Sequence, residues 1–318
     1  MRKSPRSRNA GGASAPERPA VAAPPIRLGT RGSALALAQA RVVAESLGEA
    51  EIVEITTSGD RGAGPGDKSR FTKELDEALL AGEIDVAVHS AKDVPAELSE
   101  GLVIAAVPTR EDPSDCFVGR AESLEGIPEG VSIGTSSLRR RSQLGAIRPD
   151  LSVEELRGNV DTRLAKVGDA VDGAVLAVAG LRRLDRASEI AFRFSFEQLT
   201  PAAGQGALAL AAREGDEAAV AAAAAVEDPV AALELAAERA ALRELGASCH
   251  TPVGILARHE RDSLLLVGFA GLPDGREWVR DRLSADPTHP EGAGKLLGER
   301  MTAAGADQIL RRAEELVG

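Results

Sequence analysis

Residues 26–47 read IRLGTRGSALALAQARVVAESL and predict a short strand, a tight turn and a helix in direct succession. IRLGT ends in a glycine-containing turn, and Ser33 stands where a hydroxyl can cap the first turn of the helix that follows. A strand that leads at once into a helix is the unit from which parallel sheets are built.

The same alternation continues outward from this stretch. EIVEITT at 51–57 alternates like a strand, and FTKELDEALLAG at 71–82 reads as a helix with one apolar face and Gly82 as its stop. The short apolar strand IDVAV at 84–88 then runs straight into HSAKDVP. This order predicts a mostly parallel sheet with helices on both faces.

A second α/β unit starts near Asp112. It contains the strands VSIG, LSVEEL and GAVLAVAG, the helix SSLRRRSQLGAI and a helix from Asn159 to Val167. After PAAGQG, the strand ALALAA is expected to cross back to the first unit. An Ala-rich helical stretch from Asp216 to Leu245, broken at Pro229, leads into a smaller α+β region with GILA, LLLVGFA, REWVRDRL and two closing helices.

The predicted fold class is therefore α/β, with two α/β domains and a smaller C-terminal α+β domain. The predicted segments are a disordered basic tail at 1–25, domain 1 at 26–110 with 206–224, domain 2 at 111–205 and domain 3 at 225–318. The tail lacks the apolar core of a secretory signal, so we expect a cytoplasmic protein, with an organelle transit peptide as the alternative.

Composition argues against several function classes. The 318 residues carry a formal net charge of −11, and no apolar run has the length of a membrane span, so nucleic acid and membrane surfaces are poor partners. Cys116, Cys249 and the four histidines lack the spacing of a zinc site, so we expect no metal.

Polar side chains, most of them basic or hydroxyl-bearing, follow the predicted strand ends, where α/β sheets bind their ligands. These positions are Thr30, Arg31, Ser33, His89, Ser90, Lys92, Asp93, Thr135, Ser136, Ser137, Arg139, Arg140, Arg157, Asn159, Arg163, Arg182 and Arg183. Each one alone is better explained as a helix cap or a solvated arginine than as a ligand contact. Their repetition in an acidic chain predicts a basic cleft for a small polycarboxylate.

Two residues suggest chemistry beyond binding. Asp93 is a carboxylate among cations, where it would stabilise a developing positive charge or move a proton on a ligand nitrogen. The alternative is a simple ion pair with Lys92 or a nearby arginine. Cys249, in ELGASCHTPVG at 244–254, lies in a predicted tight turn, where its sulfur either reaches a cleft or fills a gap in the core.

Taken in order, the motifs resemble those of the porphobilinogen deaminase family. The matching strings are IRLGTRGSALALAQA, FTKELDEALL, DVAVHSAKDVP, EDPSDCF, GTSSLRRRSQL, LRGNVDTRLAKV, AVLAVAGLRRL, PAAGQGALAL and ERAALRELGASCHTPVG, which span residues 26–254. The combination of HSAKDVP, GTSSLRR and LRGNVDTRL is highly specific, whereas each string alone would be weaker.

This resemblance implies a heme-pathway transferase with two domains similar to periplasmic binding proteins. Family members join four porphobilinogen molecules head to tail into linear hydroxymethylbilane, release ammonia at each step and start from a covalently bound dipyrromethane cofactor. The family's cofactor cysteine matches Cys249, which would carry the cofactor as a thioether, and its catalytic aspartate matches Asp93. The positions that hold cofactor or substrate side chains match Arg31, Ser33, Ser90, Lys92, Thr135, Ser137, Arg139, Arg140, Arg157, Arg163 and Arg183.

The resemblance implies further properties. Phe71 follows the family's mobile loop and is expected to stack on a pyrrole, and Cys116 is expected to be a packed thiol. Family members are typically monomers, and a separate enzyme that cyclises the product is implied. Ala247 and Ser248 stand where the family usually has paired glycines, and their side chains would narrow the turn that presents Cys249.

Two rival functions remain open from the residues. A non-catalytic, two-lobed binding protein for a polycarboxylate would use the same basic cleft without needing Asp93 beside Lys92 or a cysteine on a loop. A phosphate-handling transferase would be expected to carry a glycine-rich phosphate loop, and the pattern GxxxxGK[ST] does not occur in the sequence.

Overall fold

The computed structural model describes residues 24–57, 72–247 and 251–317. The strands in these ranges are β1 Ile26–Arg31, β2 Ala50–Ile55, β3 Val86–Ser90, β4 Leu102–Ala106, β5 Asp115–Val118, β6 Ser132–Gly134, β7 Ser152–Glu154, β8 Gly173–Ala177, β9 Phe192–Arg193, β10 Leu208–Arg213, β11 Val253–Glu260, β12 Ser263–Gly271 and β13 Trp278–Ala285. The α-helices are α1 Ala34–Leu47, α2 Lys73–Leu80, α3 Leu138–Ile147, α4 Val160–Ala165, α5 Val178–Arg183, α6 Glu217–Ala224, α7 Pro229–Glu244, α8 Pro290–Ala303 and α9 Ala306–Val317.

The first unit is built on a mixed sheet with the strand order β2-β1-β3-β10-β4. β1 pairs in parallel with β2 and β3, whereas β10 is antiparallel to both of its neighbours. One face of the sheet packs on Ala40 and Val43 of α1, and the other packs on Leu75 and Leu79 of α2. Helices therefore cover both faces, as the strand–helix alternation predicts.

The second unit repeats this topology. Its sheet has the order β7-β6-β8-β5-β9, with β6 parallel to β7 and β8, and β5 antiparallel to β8 and β9. β5 and β10 hold equivalent places because each is the strand with which the chain enters its sheet from the other unit. The single antiparallel strand of each sheet thus follows from the two crossings of the chain.

The crossing segments are residues 107–114 and 194–207, and they are hydrogen-bonded to each other. Glu111 N–H donates to the Gly206 carbonyl at 3.2 Å, and Gln205 Nε2 donates to the Pro113 carbonyl at 2.6 Å. The two units are therefore connected through two segments that are hydrogen-bonded to each other, rather than through one linker.

The C-terminal unit is a three-stranded antiparallel sheet in the order β11-β12-β13, covered by helices. Leu264 and Leu266 of β12 pack with Leu297 and Met301 of α8 in its core. α8 runs very close to α7, since a Cβ on Gly294 would lie 2.0 Å from the Ala237 carbonyl oxygen. The buried apolar surface of this unit is thus shared between the sheet and both helices.

The predicted α/β class is confirmed, with two α/β units of one topology and a smaller sheet-rich unit at the C-terminal end. Ser33 caps α1, and Pro229 begins α7 as predicted. The predicted strand GAVLAVAG is too long, because pairing ends at Ala177 and Val178 begins α5. The domain boundaries stay predictions. Among the described residues, no helix has the length and apolar character to cross a membrane.

Candidate active site

A cleft that is open to solvent lies between the first and second units. The carboxyl ends of β1 and β3, together with α1, form one wall, and α5 contributes the other. The polar side chains that line the cleft are Arg31, Ser33, Gln39, Thr72, His89, Ser90, Lys92, Asp93 and Arg183. Five of the predicted binding residues and the predicted catalytic Asp93 therefore meet at one site.

Arg31 and Ser33 reach the cleft through the turn that joins β1 to α1. The Ser33 hydroxyl accepts a hydrogen bond from the Ala36 N–H at 3.3 Å, and the Thr30 hydroxyl donates to the Ala36 carbonyl at 3.1 Å. These two bonds fix the helix start against the strand end. The turn therefore holds Arg31 at the rim of the cleft.

Asp93 lies on a single 3-10 turn, Ala91–Asp93, directly after β3. Ala91 N–H donates to the Ala207 carbonyl at 3.0 Å, and Val94 N–H closes the turn on the Ala91 carbonyl at 3.3 Å. Ser90, Lys92 and Asp93 are all half-buried on the cleft wall. The abrupt change from strand to turn presents three neighbouring polar side chains to one space.

His89 is a buried cleft residue that the sequence analysis places at a strand end but does not include among the binding positions implied by the resemblance. Its side chain is 6% exposed. Burial lowers the pKa of His89 to about 4; the nearby Asp93 carboxylate opposes this shift, and the Arg31 guanidinium adds to it. The imidazole is therefore neutral at neutral pH.

Arg163 approaches the same carboxylate from the second unit. It lies on α4, whose first turn is capped by Asn159, and burial lowers its pKa to about 10, with Arg140 adding to the shift and Asp93 opposing it. Arg163 Nε is buried and has no hydrogen-bond partner among the described residues. Such a donor is normally satisfied in a folded protein, so this nitrogen is available to a ligand oxygen.

Arg183 closes the cleft at the end of α5. Its guanidinium donates to the Gly206 carbonyl in the crossing segment at 2.8 Å, and burial lowers its pKa to about 10. We refer to Asp93, His89, Arg163 and Arg183 as the cleft cluster. Its members come from both units, so their spacing depends on how the two units are held together.

Arg139 and Arg140 have a different environment. Both donate to the fully buried Asp115 of β5, at 2.6 Å and 2.7 Å, and both also donate to backbone carbonyls, of Thr200 and Val175. Burial alone would raise the pKa of Asp115, but the two guanidinium groups hold it well below its usual range. The carboxylate is therefore ionised.

Gln205 adds a further hydrogen bond to this arrangement, from Nε2 to Asp115 Oδ1 at 2.8 Å. We refer to Asp115, Arg139, Arg140 and Gln205 as the anchor cluster. It joins β5, the start of α3 and the second crossing segment. Arg140 also lies close enough to Arg163 to lower the pKa of that residue, so the anchor cluster borders the cleft cluster.

Three other predicted residues make local contacts. Ser137 caps α3 by accepting from the Arg140 N–H at 3.4 Å, and the Thr135 hydroxyl accepts from the Ser137 N–H at 3.2 Å. Arg157 lies on the surface with its side chain 56% exposed and pairs with Glu155 at 2.7 Å. In this conformation these contacts match the alternative explanation as helix caps and a solvated arginine.

Of the remaining predictions, Phe71 and Cys249 lie outside the described residues. Cys116 is fully buried on β5, and its Sγ donates to the Leu176 carbonyl at 3.4 Å. Burial raises the pKa of the Cys116 thiol to about 12. This cysteine is therefore the packed, unreactive thiol that the sequence analysis expects.

Several site residues escape the sequence analysis. Gln39 is a polar residue on the buried face of α1, where Ala36, Ala40 and Val43 are apolar. A polar residue on an otherwise apolar helix face can be recognised from the sequence, and it indicates a possible ligand contact. Asp115 carries no comparable signal, because one acidic residue before a short strand is common at a strand end.

Chemically, the cleft offers a carboxylate and a buried neutral imidazole among guanidinium and ammonium groups. Guanidinium groups in a partly dry site bind carboxylates through charge-assisted hydrogen bonds. A carboxylate in the same site stabilises positive charge that develops on a bound ligand. The arrangement thus suits a substrate that carries several carboxylates and becomes cationic as it reacts.

Comparison with known proteins gives one consistent answer. Residues 26–221 match the family model of the porphobilinogen deaminase dipyromethane cofactor binding domain, and residues 232–303 match that of the porphobilinogen deaminase C-terminal domain. The porphobilinogen deaminase of Thermus thermophilus is 48% identical over 294 residues, which cover 90% of this chain and 98% of that protein. The porphobilinogen deaminase of Syntrophus aciditrophicus is 44% identical over 91% of this chain and 99% of its own length.

The solved structures that match this chain are more distant in sequence. The periplasmic VFT2 domain of Bordetella pertussis BvgS has a TM-score of 0.38 at 16% identity, over 64% of this chain and 86% of that domain. A periplasmic binding protein of Salmonella typhimurium with high arginine specificity has a TM-score of 0.38 at 17% identity, over 66% of this chain and 94% of that chain. On the two family models and on relatives that match nearly end to end, this chain belongs to the porphobilinogen deaminase family.

Proposed function

We propose that the cleft between the first and second units is the active site, with Asp93 as the catalytic carboxylate and Cys249 as the point of cofactor attachment. The reaction is that of the family: a transferase condenses four porphobilinogen molecules head to tail into linear hydroxymethylbilane and releases ammonia at each step. Membership in the family does not favour the rival non-catalytic binding protein.

The observation that carries the role of Asp93 is its position on the wall of the cleft that the first unit forms, close enough to Arg163 of the second unit to act on the pKa of that arginine. Loss of ammonia from the aminomethyl group of a pyrrole leaves positive charge on the carbon and the ring. A carboxylate held at that point stabilises the charge as it forms and accepts a proton when the pyrrole regains its aromatic form. Asp93 is the acidic side chain that lines the cleft among the described residues.

The cations of the cleft are proposed to hold the substrate side chains. Each porphobilinogen carries an acetate and a propionate, so a growing chain is a string of carboxylates. Arg31, Lys92 and Arg183 line the cleft. Arg163 is close enough to Asp93 for that carboxylate to act on its pKa, and its buried Nε has no hydrogen-bond partner among the described residues. Ser33 and Ser90 add hydroxyl groups on the same wall.

The other predicted binding residues contact protein groups in this structure, so their contributions are proposed to be less direct. Arg139 and Arg140 both bond Asp115 and backbone carbonyl groups, which supports a contribution through their charge and through the placement of α3. We propose that the ligand is also bound by Thr135, Ser137 and Arg157, whose side chains would exchange their present local contacts for contacts with it. Phe71 is proposed to stack on a pyrrole.

The cofactor of the family is dipyrromethane. When bound, it supplies the pyrrole carbon to which the first porphobilinogen is joined. The described residues fit such a group, because two linked pyrroles carry four carboxylates and cations from both units line the cleft. Arg163, which interacts electrostatically with Asp93, also has a buried donor without a partner among the described residues. On this chain, the Cys249 thiol would form the thioether, and the cleft cations would orient the carboxylates.

We also propose that the enzyme is a cytoplasmic monomer and that its product passes to a separate enzyme that cyclises it. The three domains are proposed at 26–110 with 206–224, at 111–205 and at 225–318. The membership of the three sheets supports this division.

The test is the intact mass of the denatured protein beside its Cys249→Ser variant. We expect the wild type, and not the variant, to carry extra mass equal to two linked pyrrole units. Bare polypeptide mass in both samples, persisting after incubation with porphobilinogen, would contradict the attachment site and the proposed function together.

A further inference from the structure

The turn that carries Asp93 is supported from behind by the second crossing segment. Gly204 has a φ of +72°, and a Cβ on it would lie 2.8 Å from the carbonyl carbon of Ala91 and 2.9 Å from the Lys92 nitrogen. The backbone of Gly204 therefore packs directly on the peptide that joins Ala91 to Lys92. Any shift of Gly204 would be transmitted to the 3-10 turn, because there is no space between the two backbones.

Gly204 is held in turn by a side chain of the C-terminal unit. Its N–H donates to Oε2 of Glu238 at 2.6 Å. Glu238 lies in the middle of α7 and is fully buried. Burial of a carboxylate in the middle of a helix costs free energy, because the charged group loses its contacts with water. It is therefore unusual, and the carboxylate must accept several hydrogen bonds in place of those from water.

Glu238 finds these donors in three different segments of the chain. Oε1 accepts from Arg110 at 2.8 Å and from the Ala257 N–H of β11 at 2.8 Å, and Oε2 accepts from Arg110 at 3.1 Å as well as from Gly204. Arg110 belongs to the first crossing segment, and its Nε donates to the Gln205 carbonyl at 3.0 Å. One carboxylate thus joins both crossing segments to the C-terminal unit.

Glu234 provides an internal comparison. It lies one turn earlier on α7, is also buried, and also bonds Arg110, at 3.1 Å. Its second partner is the His259 N–H at 2.9 Å. Glu234 therefore shares the helix, the burial and the arginine of Glu238 but makes no hydrogen bond to Gly204 among those found in the described chain.

We propose that Glu238 is a positioning residue for Asp93: through the Gly204 N–H it fixes the turn that presents the catalytic carboxylate, and so links the C-terminal unit to the reacting end of the cleft. This inference rests on the role proposed for Asp93. It assigns to the C-terminal unit a function at the cleft that does not depend on the cysteine it carries.

The experiment compares Glu238→Gln with Glu234→Gln in the full-length, cofactor-loaded enzyme. Glutamine keeps the shape of the side chain but replaces one acceptor oxygen by an NH₂ group, which faces a backbone donor. In Glu238→Gln we expect kcat per folded molecule to fall roughly ten- to a hundredfold with little change in KM, because the carboxylate of Asp93 is displaced rather than removed. Glu234→Gln should keep kcat within about twofold.

Hydrogen–deuterium exchange supplies a readout that does not depend on activity. Peptides covering residues 90–94 should exchange faster in Glu238→Gln than in the wild type and should be unchanged in Glu234→Gln. If kcat and this exchange change equally in both variants, or in neither, Glu238 is merely structural and the proposal is overturned.

A second pair of variants decides the matter if Glu238→Gln does not fold. Gly204→Ala places a methyl group against the Ala91–Lys92 peptide, whereas Gly215→Ala meets nothing within 4 Å at a similar φ of +80°. We expect kcat to fall in Gly204→Ala and not in Gly215→Ala, and equal kcat in both would overturn the proposal. Asp93→Asn separates the two claims: full activity there would refute the role proposed for Asp93, while the exchange data would still report whether Glu238 holds the turn.

Discussion

The cleft cluster and the anchor cluster each combine one aspartate with two arginines, but they differ in how fully these charged groups are hydrogen-bonded. In the anchor cluster, Asp115 is surrounded by donors, and each guanidinium is paired with a carboxylate and a carbonyl. In the cleft cluster, Arg163 keeps a buried nitrogen without a hydrogen bond in the described chain, and His89 is buried with its pKa strongly lowered. An arginine whose donors are bonded within the protein stabilises the fold, whereas an arginine with a buried unbonded donor is a candidate for ligand binding.

The largest effect should come from breaking the anchor cluster. Asp115→Asn would leave two buried guanidinium groups without their counter-ion, and we expect unfolding free energy to fall by about 3–5 kcal/mol. Chemical denaturation monitored by circular dichroism measures this. Glu155→Gln, which removes the partner of the exposed Arg157, should leave the midpoint nearly unchanged; equal losses in the two variants would show that the anchor cluster is not special.

The next largest effect belongs to the cleft cluster and concerns rate instead of stability. Asp93→Asn should lower turnover by about 10²–10³-fold, because the charge that stabilises the cationic pyrrole is lost while the shape is kept. Turnover is measured by assays of hydroxymethylbilane formation that are quenched at fixed times. Asp76→Asn, a half-buried carboxylate of α2 that bonds Ser99, is the matched control and should retain turnover. Wild-type rates in Asp93→Asn would remove Asp93 from the mechanism.

A pH series sharpens the comparison through His89. The pKa of His89 is lowered to about 4 in the folded protein from 6.5, so the unfolded chain binds the proton more tightly. Its contribution to stability is therefore complete above pH 6.5 and is lost as the pH falls from 6.5 to 4, by about 3 kcal/mol in total. His89→Gln should flatten the unfolding free energy in that window. An unchanged slope would mean that His89 is protonated or exposed in the folded enzyme.

The smallest expected effect separates two neighbouring arginines. Arg163→Leu should weaken substrate binding, seen as an increase in KM that corresponds to about 1.5–3 kcal/mol, while stability is kept because a buried unsatisfied donor is removed. Arg140→Leu should instead lower stability, since Asp115 loses a partner. Titration of KM and of the denaturation midpoint in both variants measures this. The reverse pattern would exchange the functions that we assign to the two clusters.

The sequence predicts local features of this fold better than it predicts the direction of side chains. Ser33, Asn159 and Pro229 mark helix starts through chemistry that is complete within a few residues, and the structure confirms them. The antiparallel direction of β10 depends on the path of the whole chain, so no local pattern contains it.

The site divides in the same way. Strand ends predict that Arg31, Lys92 and Asp93 share an edge of the sheet, and they do line one cleft. Whether Arg140 turns to a ligand or to Asp115 depends on a residue 25 positions away on another strand. The sequence identifies Glu238 only as a charged residue on a buried helix face. It does not predict the hydrogen bond with Gly204, which lies 34 positions earlier.

The placement of β10 also bears on the order in which the chain can fold during synthesis. The strands of the second sheet lie within residues 115–193, whereas the first sheet places residues 208–213 between β3 and β4. As the ribosome releases the chain from its N-terminus, the second sheet has all its strands before the first sheet receives the strand that joins its edge to its centre. The first unit is synthesised before the second unit, but its sheet is therefore expected to be completed after the sheet of the second unit. In the interval the first sheet has an unpaired strand edge, which is the kind of exposed surface that chaperones recognise.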